Sequence, residues 1–468
     1  MSIFTSVDPS TGRTIATYET LRADEIDARL GRAVEAYGRW RSVSVAARAD
    51  VLTRVADLLD ARRDVYARLI TDEMGKLLVD ARAEVAKCAT GCRYYAEHAA
   101  RMLAPEPVAT EATRSYVTFD PLGPVLAVMP WNFPFWQVFR FAAPTIVAGN
   151  VALLKHAANV SGAALAIESV WRDAGAPDGV FQTLLVPSGD VAALIADDRV
   201  RAVTLTGSEH AGTSVAENAG RVCKKCVLEL GGSDPFIVLA DADPVRAAHA
   251  AVKARVVNSG QSCIAAKRFI AVGAVADPFT RAFAGAMRAL RVGDPRDAAT
   301  DVGPLARSDL RDELVRQIDG SLAAGARRLV APATVPSAGF FFPPTVLADV
   351  HPGMPAFDEE VFGPVAAVVT ADSDADAIAL ANRSRYGLGS SIWTRDAAHA
   401  EALAHELDCG MVFVNDLVRS DPRLPFGGVK RSGYGRELSH YGIHEFVNVR
   451  TVVIGGEGRT GGTPAAIE

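Results

Sequence analysis

Residues 151–232 read VALLKHAANVSGAALAIESVWRDAGAPDGVFQTLLVPSGDVAALIADDRVRAVTLTGSEHAGTSVAENAGRVCKKCVLELGG. Short apolar runs alternate here with stretches of helical periodicity. VALLKH, FQTLLVP, AVTLTG and KKCVLELGG have the length and composition of strands. SGAALAIESVWRDAG, VAALIADDR and HAGTSVAENAG carry apolar residues at three- and four-residue spacing, and Gly175 is a helix stop. Alternation of this kind builds a parallel sheet with crossover helices, so the fold class is α/β.

Working outward, the segment from Arg22 to about Ala104 is helical by the same spacing, with Asp24 and Ser44 as expected N-caps. RSYVTFDPLGPVLAVMP (114–130) reads as strand, Pro/Gly turn, strand. Beyond Gly231-Gly232 a second alternating region runs from Pro235 to about Asn415. PFIVLA, KRFIAVG, RRLVAP, VAAVVT and GMVFVN are its strands. DPVRAAHAAVKARVVNSG, DPFTRAFAGAMRALRVG and RSDLRDELVRQIDGSLAAGA are its helices. The two glycines therefore mark a junction between two units. The tail after Gly455 is Gly-rich and expected to be loose.

Composition limits the function classes. The 468 residues include 49% hydrophobic and 22% charged side chains, an ordinary globular balance. A net charge of −6 offers no basic face for nucleic acid. No apolar run reaches the ~18 residues a membrane span needs. The opening MSIFTSVDPSTG lacks the basic and apolar regions of a secretory signal. Six cysteines are too few for a disulfide scaffold. The expectation is a soluble, cytoplasmic enzyme with no membrane partner.

Four short segments carry chemistry. Cys263, in Asn258-Ser259-Gly260-Gln261-Ser262-Cys263, follows a long helix and precedes a strand. A Gly-containing turn there presents a thiol with free backbone N–H groups around it, which favour a thiolate and an oxyanion. Glu229 ends an apolar strand before two glycines; desolvation raises such a carboxyl toward the range of a general base, against the alternative of a solvated strand-end charge. Asn132, in Pro130-Trp131-Asn132-Phe133-Pro134, is either a turn former or an amide donor to a developing oxyanion. Thr206-Gly207-Ser208 precedes a helix and offers a pyrophosphate an N-terminal anion site, although no GxGxxG is present. Cys88 and Cys92 lie one turn apart on a helix. Cys223 and Cys226 form a single CxxC, which reads as ordinary thiols, as does Cys409, and no metal site is expected.

Taken together, these segments resemble the aldehyde dehydrogenase superfamily over nearly the whole chain. The ordered matches are PWNFP, the Lys155 strand end, TGS with Gly212, ELGG, GQSC, Val292-Gly293-Asp294-Pro295, VGPL, EEVFGP (359–364), Asn382, Tyr386-Gly387-Leu388 and PFGGVKRSG (425–433). The resemblance implies a Rossmann-type cofactor domain (1–110 and 122–231), an α/β catalytic domain (232–430), a small β oligomerisation arm (111–121 and 440–458) and a loose tail (459–468). A homodimer or homotetramer is implied. Cys263 matches the nucleophile, Glu229 the base that activates water, and Asn132 the oxyanion donor. Trp131, Lys155, His156, Ala158, Gly207, Ser208, Glu360 and Phe362 match the cofactor site. The implied reaction is oxidation of an aldehyde through a thiohemiacetal and a thioester.

LLKHA, GGSDPFIVL and SDPRLPFGG resemble the succinate-semialdehyde dehydrogenase subgroup. The implied substrate funnel is lined by Trp136, Arg140, Ser262, Ile264 and Ser420, with Arg140 and the hydroxyls taking a substrate carboxylate; Arg423 is a weaker candidate. Arg140 paired with a local acid is the competing reading. Glutarate semialdehyde, another ω-oxo acid or a broad range of aldehydes are alternative substrates. A thioesterase on the same scaffold would have no use for Lys155 or Glu360. NAD-preferring relatives carry a Glu where Ala158 stands, so NADP is expected to be preferred over NAD, with Lys155 and His156 on the phosphate.

Overall fold

The computed structural model describes residues 2–330 and 334–455. The predicted tail 459–468, the last residues of the predicted arm and the end of RRLVAP lie outside the described residues.

The segment quoted above forms most of one six-stranded sheet. Its order is Gly433–Tyr434, Lys225–Glu229, Ala202–Thr206, Pro124–Met129, Val151–His156 and Phe181–Thr183. All neighbours run parallel except Gly433–Tyr434, which closes the edge antiparallel to Lys225–Glu229. Counted in chain order, the parallel strands lie 3-2-1-4-5 across the sheet. The order reverses between Pro124–Met129 and Ala202–Thr206. At such a switch point the loops leaving the two strand ends diverge and open a crevice for ligand. Those loops are Pro130–Pro134 and Thr206–Ser208.

Helices Ala23–Trp40, Val45–Ala61, Arg63–Met74 and Leu78–Met102 account for the periodic N-terminal region. Ser44 caps as expected, accepting from Ala47 N at 3.2 Å. Asp24 does not cap; Arg22 holds that position, because Glu25 reaches back to its N–H at 2.8 Å. Ile3–Asp8 and Arg13–Glu19 pair as a hairpin that the sequence reading left unassigned. The helix Trp136–Val147 is buried along its whole length. Its first turn is fixed by Glu84, whose Oε1 accepts from Phe135 N at 2.9 Å and Trp136 N at 3.0 Å. A carboxylate suits the orphan N–H groups and positive end of a helix, and here it ties that helix to Leu78–Met102.

After Gly231-Gly232 the chain enters a seven-stranded sheet, ordered Arg327–Arg328, Thr345–Ala348, Val365–Ala371, Arg268–Val272, Pro235–Val238, Gly389–Trp393 and Met411–Val414. Thr345–Ala348 and Gly389–Trp393 were not among the predicted strands. A third sheet joins Val447–Ile454, Arg114–Pro121 and Glu106–Pro107. It takes in two residues ahead of the expected arm. It also begins late at its other end, since Ser439–His444 is a helix against Leu78–Met102 and Trp136–Val147. No helix among the described residues is long and apolar enough to cross a membrane.

Candidate active site

Cys263 stands where the two large units meet. The helix Pro244–Val256 ends in a turn whose residues Asn258, Ser259 and Gly260 all have positive φ, at 53°, 55° and 80°. Two of these are not glycine, so the turn is strained and held by its surroundings. The holders are explicit. Asn258 Nδ2 donates to Asn132 O at 2.7 Å and Gln261 O at 3.1 Å. Arg255 Nη2 donates to Gly260 O at 2.8 Å, and Ser259 Oγ accepts from Gly303 N at 3.0 Å. Gln261 Oε1 accepts from Ala306 N at 2.9 Å. Gly260 is required twice over: its φ is left-handed, and a Cβ there would lie 2.3 Å from the Gly363 backbone.

Lys267 secures the backbone at Cys263. Its Nζ donates to Ser262 O at 2.9 Å and Cys263 O at 2.6 Å, and lies 3.4 Å from Glu360 Oε1. Burial pushes the Cys263 thiol up to about 12, opposed first by the charge of Lys267 and then by that of Arg140. Asn132 Nδ2 donates to Gln261 O at 3.1 Å, which occupies one of its two hydrogens. Among the described residues, the Cys263 N–H is not taken by another backbone carbonyl.

Cys263 lines two cavities. The first, of about 750 Å³, is the switch-point crevice, and it holds Trp131, Asn132, Gly207, Ser208, Glu360 and Phe362. Ser208 caps the helix Glu209–Arg221, accepting from Ala211 N at 3.3 Å. Phe362 meets Trp131 edge-on at 5.9 Å, and Arg307 lies 5.6 Å above the Trp131 ring. Glu360 Oε1 accepts from Gly232 N at 3.0 Å; a Cβ on Gly231 would collide with that carboxylate. Lys155 and Ala158 sit outside this cavity, at the end of the adjacent strand. Lys155 is buried and donates to Ser188 Oγ at 3.2 Å.

His156 does not belong with them. Its ring is buried among backbone groups: Nδ1 lies 2.9 Å from Ala157 N and 3.2 Å from Met129 O, and Nε2 lies 2.9 Å from Pro134 O. Burial pushes it down to about 4, so it is neutral and offers no charge to a phosphate. Consecutive strand residues point to opposite faces, so the residue after Lys155 turns away from it.

The second cavity, of about 850 Å³, gathers the expected Trp136, Arg140, Ser262, Ile264 and Ser420 with Lys76, Glu84, Lys87, Phe133, Val418, Arg419 and Phe426. Arg140 lies in its wall but is already engaged. It forms a buried ion pair with Glu437, and its guanidinium sits 4.4 Å over the Phe426 ring. The competing reading of Arg140, a local acidic partner, is the one observed. Arg423 is paired as well, with Asp421 at 2.6 Å, and is absent from the wall.

Glu229 lines neither cavity. It is 2% exposed, with no hydrogen-bond partner on either carboxylate oxygen. Its Oε1 fills the space that a Cβ at Gly427 would need. Burial holds the carboxyl well above its usual range; Arg140 opposes this and Glu437 adds to it. Gln137, Arg307, Lys267, Lys87, Glu437 and Gly427 were not singled out from sequence. Gly427 alone had a local signal, as the first glycine of the PFGG motif.

The comparisons agree with this geometry. The sequence profile of the Aldehyde dehydrogenase family matches residues 2–452, and the chain belongs to that family. It is 50% identical over 449 residues to the probable succinate-semialdehyde dehydrogenase [NADP(+)] of Synechocystis, covering 96% of this chain and 99% of the relative. It is 50% identical over 452 residues to succinate-semialdehyde dehydrogenase [NADP(+)] 1 of Mycobacterium tuberculosis, with the same coverage. The crystal structure of succinic semialdehyde dehydrogenase from Streptococcus pyogenes in complex with NADP+ superposes with a TM-score of 0.95 at 37% identity, over 97% of this chain and all of that one.

Two outcomes follow from the electrostatics. Lys267→Met removes the nearest charge that favours the thiolate, so alkylation of Cys263 by a neutral haloacetamide in the cofactor-free protein slows about tenfold at fixed pH. The alkylation rate against pH measures this. A base role for Glu229 makes acyl-enzyme hydrolysis rise with pH as its raised carboxyl ionises. Glu229→Gln flattens that profile and lowers hydrolysis by at least about 100-fold, leaving a single-turnover burst in stopped flow.

Proposed function

We propose that this protein oxidises succinate semialdehyde to succinate with NADP as acceptor, through a thioester on Cys263. One observation carries the reading. A single thiol borders both a switch-point crevice suited to a dinucleotide and a cavity whose wall bears cations and hydroxyls. The names of the relatives matched over nearly their whole length point to the same substrate and cofactor.

The residues present suit NADP. Lys155 is buried without a carboxylate partner, and Ala158 sets no negative charge against a 2′-phosphate. Gly207 and Ser208 lead into the 13-residue helix Glu209–Arg221, whose N-terminus favours a pyrophosphate. A bound NADP supplies the two-electron acceptor.

The chain's own residues do the rest. The Cys263 thiol passes its proton to water, and the sulfur bonds the aldehyde carbon as the C=O π bond opens, to form a thiohemiacetal. Negative charge develops on the former carbonyl oxygen. The second Nδ2 hydrogen of Asn132 and the Cys263 N–H are the donors for it; losing one such donor costs about 3 kcal/mol in the barrier. After oxidation the acyl group is a thioester. Glu229 takes a proton from water, the hydroxide adds to the acyl carbon, and the carboxylate leaves as the sulfur regains its electron pair.

We also infer the division of labour among the sheets. The six-stranded sheet is the cofactor domain, and the seven-stranded sheet is the catalytic domain. The third sheet is an oligomerisation arm. Val449 and Val453 on its strand Val447–Ile454 are 61% and 59% exposed, which suits a further chain against them.

Cys263→Ala abolishes reduction of NADP by every aldehyde while dinucleotide affinity, measured by calorimetry, stays within about twofold. Persistent oxidation in that variant overturns the assignment. The wild type shows the higher kcat/KM with NADP. Ala158→Glu lowers the NADP-to-NAD ratio of kcat/KM by at least about tenfold, since a like charge then faces the phosphate.

A further inference from the structure

Lys76, Lys87, Arg140 and Arg419 border the substrate cavity. Three of them are spent. Lys76 is buried against Glu84, Arg140 against Glu437, and Arg419 lies 2.6 Å from Asp416. Lys87 forms no ion pair among the described residues. Glu84, one helical turn before it, is exhausted by Lys76 and by the N–H groups of Phe135 and Trp136.

The surroundings of Lys87 are built rather than incidental. Its Nζ lies 4.6 Å from the centre of the Trp136 ring and donates to Ser420 Oγ at 2.6 Å. Trp136 Nε1 donates to the same oxygen at 3.1 Å. Ser420 Oγ thus accepts twice, and its own O–H remains to donate. Across the same cavity Ser262 is 1% exposed, and its hydroxyl has no partner. A largely buried ammonium without a counter-ion and a buried hydroxyl without a partner both carry a desolvation cost that an anionic ligand would offset.

We propose that Lys87 is the specificity-determining cation of this enzyme: with the Ser262 and Ser420 hydroxyls it takes the distal carboxylate of an ω-oxo acid whose aldehyde carbon meets Cys263. The inference deepens the substrate reading above and rests on it. It moves the carboxylate contact from Arg140 to a residue on the helix Leu78–Met102. Arg140 keeps Glu437 and the field around Glu229 instead.

Burial, then the charge of Arg140, lower the Lys87 ammonium to about 8, while Cys88, Glu84 and Asp421 raise it. Of the other charged groups on this wall, Lys76 and Arg419 are held by Glu84 and Asp416, and Asp80 stands on the same helix. In the free enzyme Lys87 therefore loses its proton just above neutral pH.

The test compares succinate semialdehyde with butanal, which has the same carbon count and no carboxylate. The quantity read is the ratio of their kcat/KM values in wild type, Lys87→Met and Lys87→Arg. Methionine keeps the apolar stem over Trp136 and removes the charge. The wild-type ratio favours succinate semialdehyde and declines above about pH 8, where effects common to both substrates cancel. Lys87→Met lowers it about 30-fold and removes the decline, and Lys87→Arg restores most of it. A Lys87→Met ratio within about twofold of wild type overturns the role of Lys87, as does an equal loss for both aldehydes. A wild type with no preference for the carboxylated aldehyde overturns the substrate reading itself.

Discussion

The site depends on a strained turn. Asn258, Ser259 and Gly260 are held at positive φ in succession, by bonds within the turn between Asn258 and Gln261 and by contacts from outside it. Those contacts come from Asn132, Arg255, Gly303 and Ala306, so the PWNFP loop and the segment after residue 300 both converge on it. The turn lifts Cys263 out of the catalytic unit and sets its sulfur against the crevice of the other sheet. Two hydrogen bonds, Asn258 Nδ2 to Asn132 O and Asn132 Nδ2 to Gln261 O, link the segment before Cys263 to Asn132. Strain of a few kcal/mol at such a site is offset by the packing that surrounds it.

Charge is distributed with equal economy. Burial favours the neutral form of both Cys263 and Glu229, the proposed reacting groups. The permanent cations near them are paired or tied to carbonyl oxygens: Lys76 to Glu84, Arg140 to Glu437, Lys267 to Ser262 O and Cys263 O. Lys267 also approaches Glu360, so the carboxylate at the cofactor crevice and the thiol share one buried ammonium. The field that tunes the sulfur is therefore set by groups on both sides of the junction. A fully desolvated pair contributes little net stability, but it fixes position, and position is what this reaction uses.

Much of this was legible in the sequence where the signal was local. Apolar runs alternating with helical periodicity defined the first sheet, and its strand order follows from the usual right-handed crossovers. Cys263, Asn132 and Glu229 stood out because each sits in a short stretch whose composition is odd for structure alone, while Glu360 came from the family resemblance. The resemblance placed Trp136 and Arg140 on one cavity wall. It said nothing of Glu437, which reaches Arg140 from the far end of the chain. Lys87 was hidden for the same reason: Ser420 and Trp136 come to it through the fold, and on its own helix it is one lysine among many charged residues. His156 was misread because adjacency in a strand was taken for adjacency in space.

The groups left unsatisfied then say more about the ligands than the groups that are paired. At the proposed cofactor end Lys155 donates to Ser188 Oγ and has no carboxylate partner among the described residues; at the proposed substrate end Lys87 donates to Ser420 Oγ without a counter-ion there, and the Ser262 hydroxyl has no partner. Between them are the second Nδ2 hydrogen of Asn132 and the Cys263 N–H, the donors proposed for an oxyanion. Every one of these is a donor, so the protein waits for negative charge at three points along one path: a phosphate, an alkoxide and a carboxylate. An aldehyde without the distal carboxylate meets only two of the three, and leaves a buried cation as costly after binding as before.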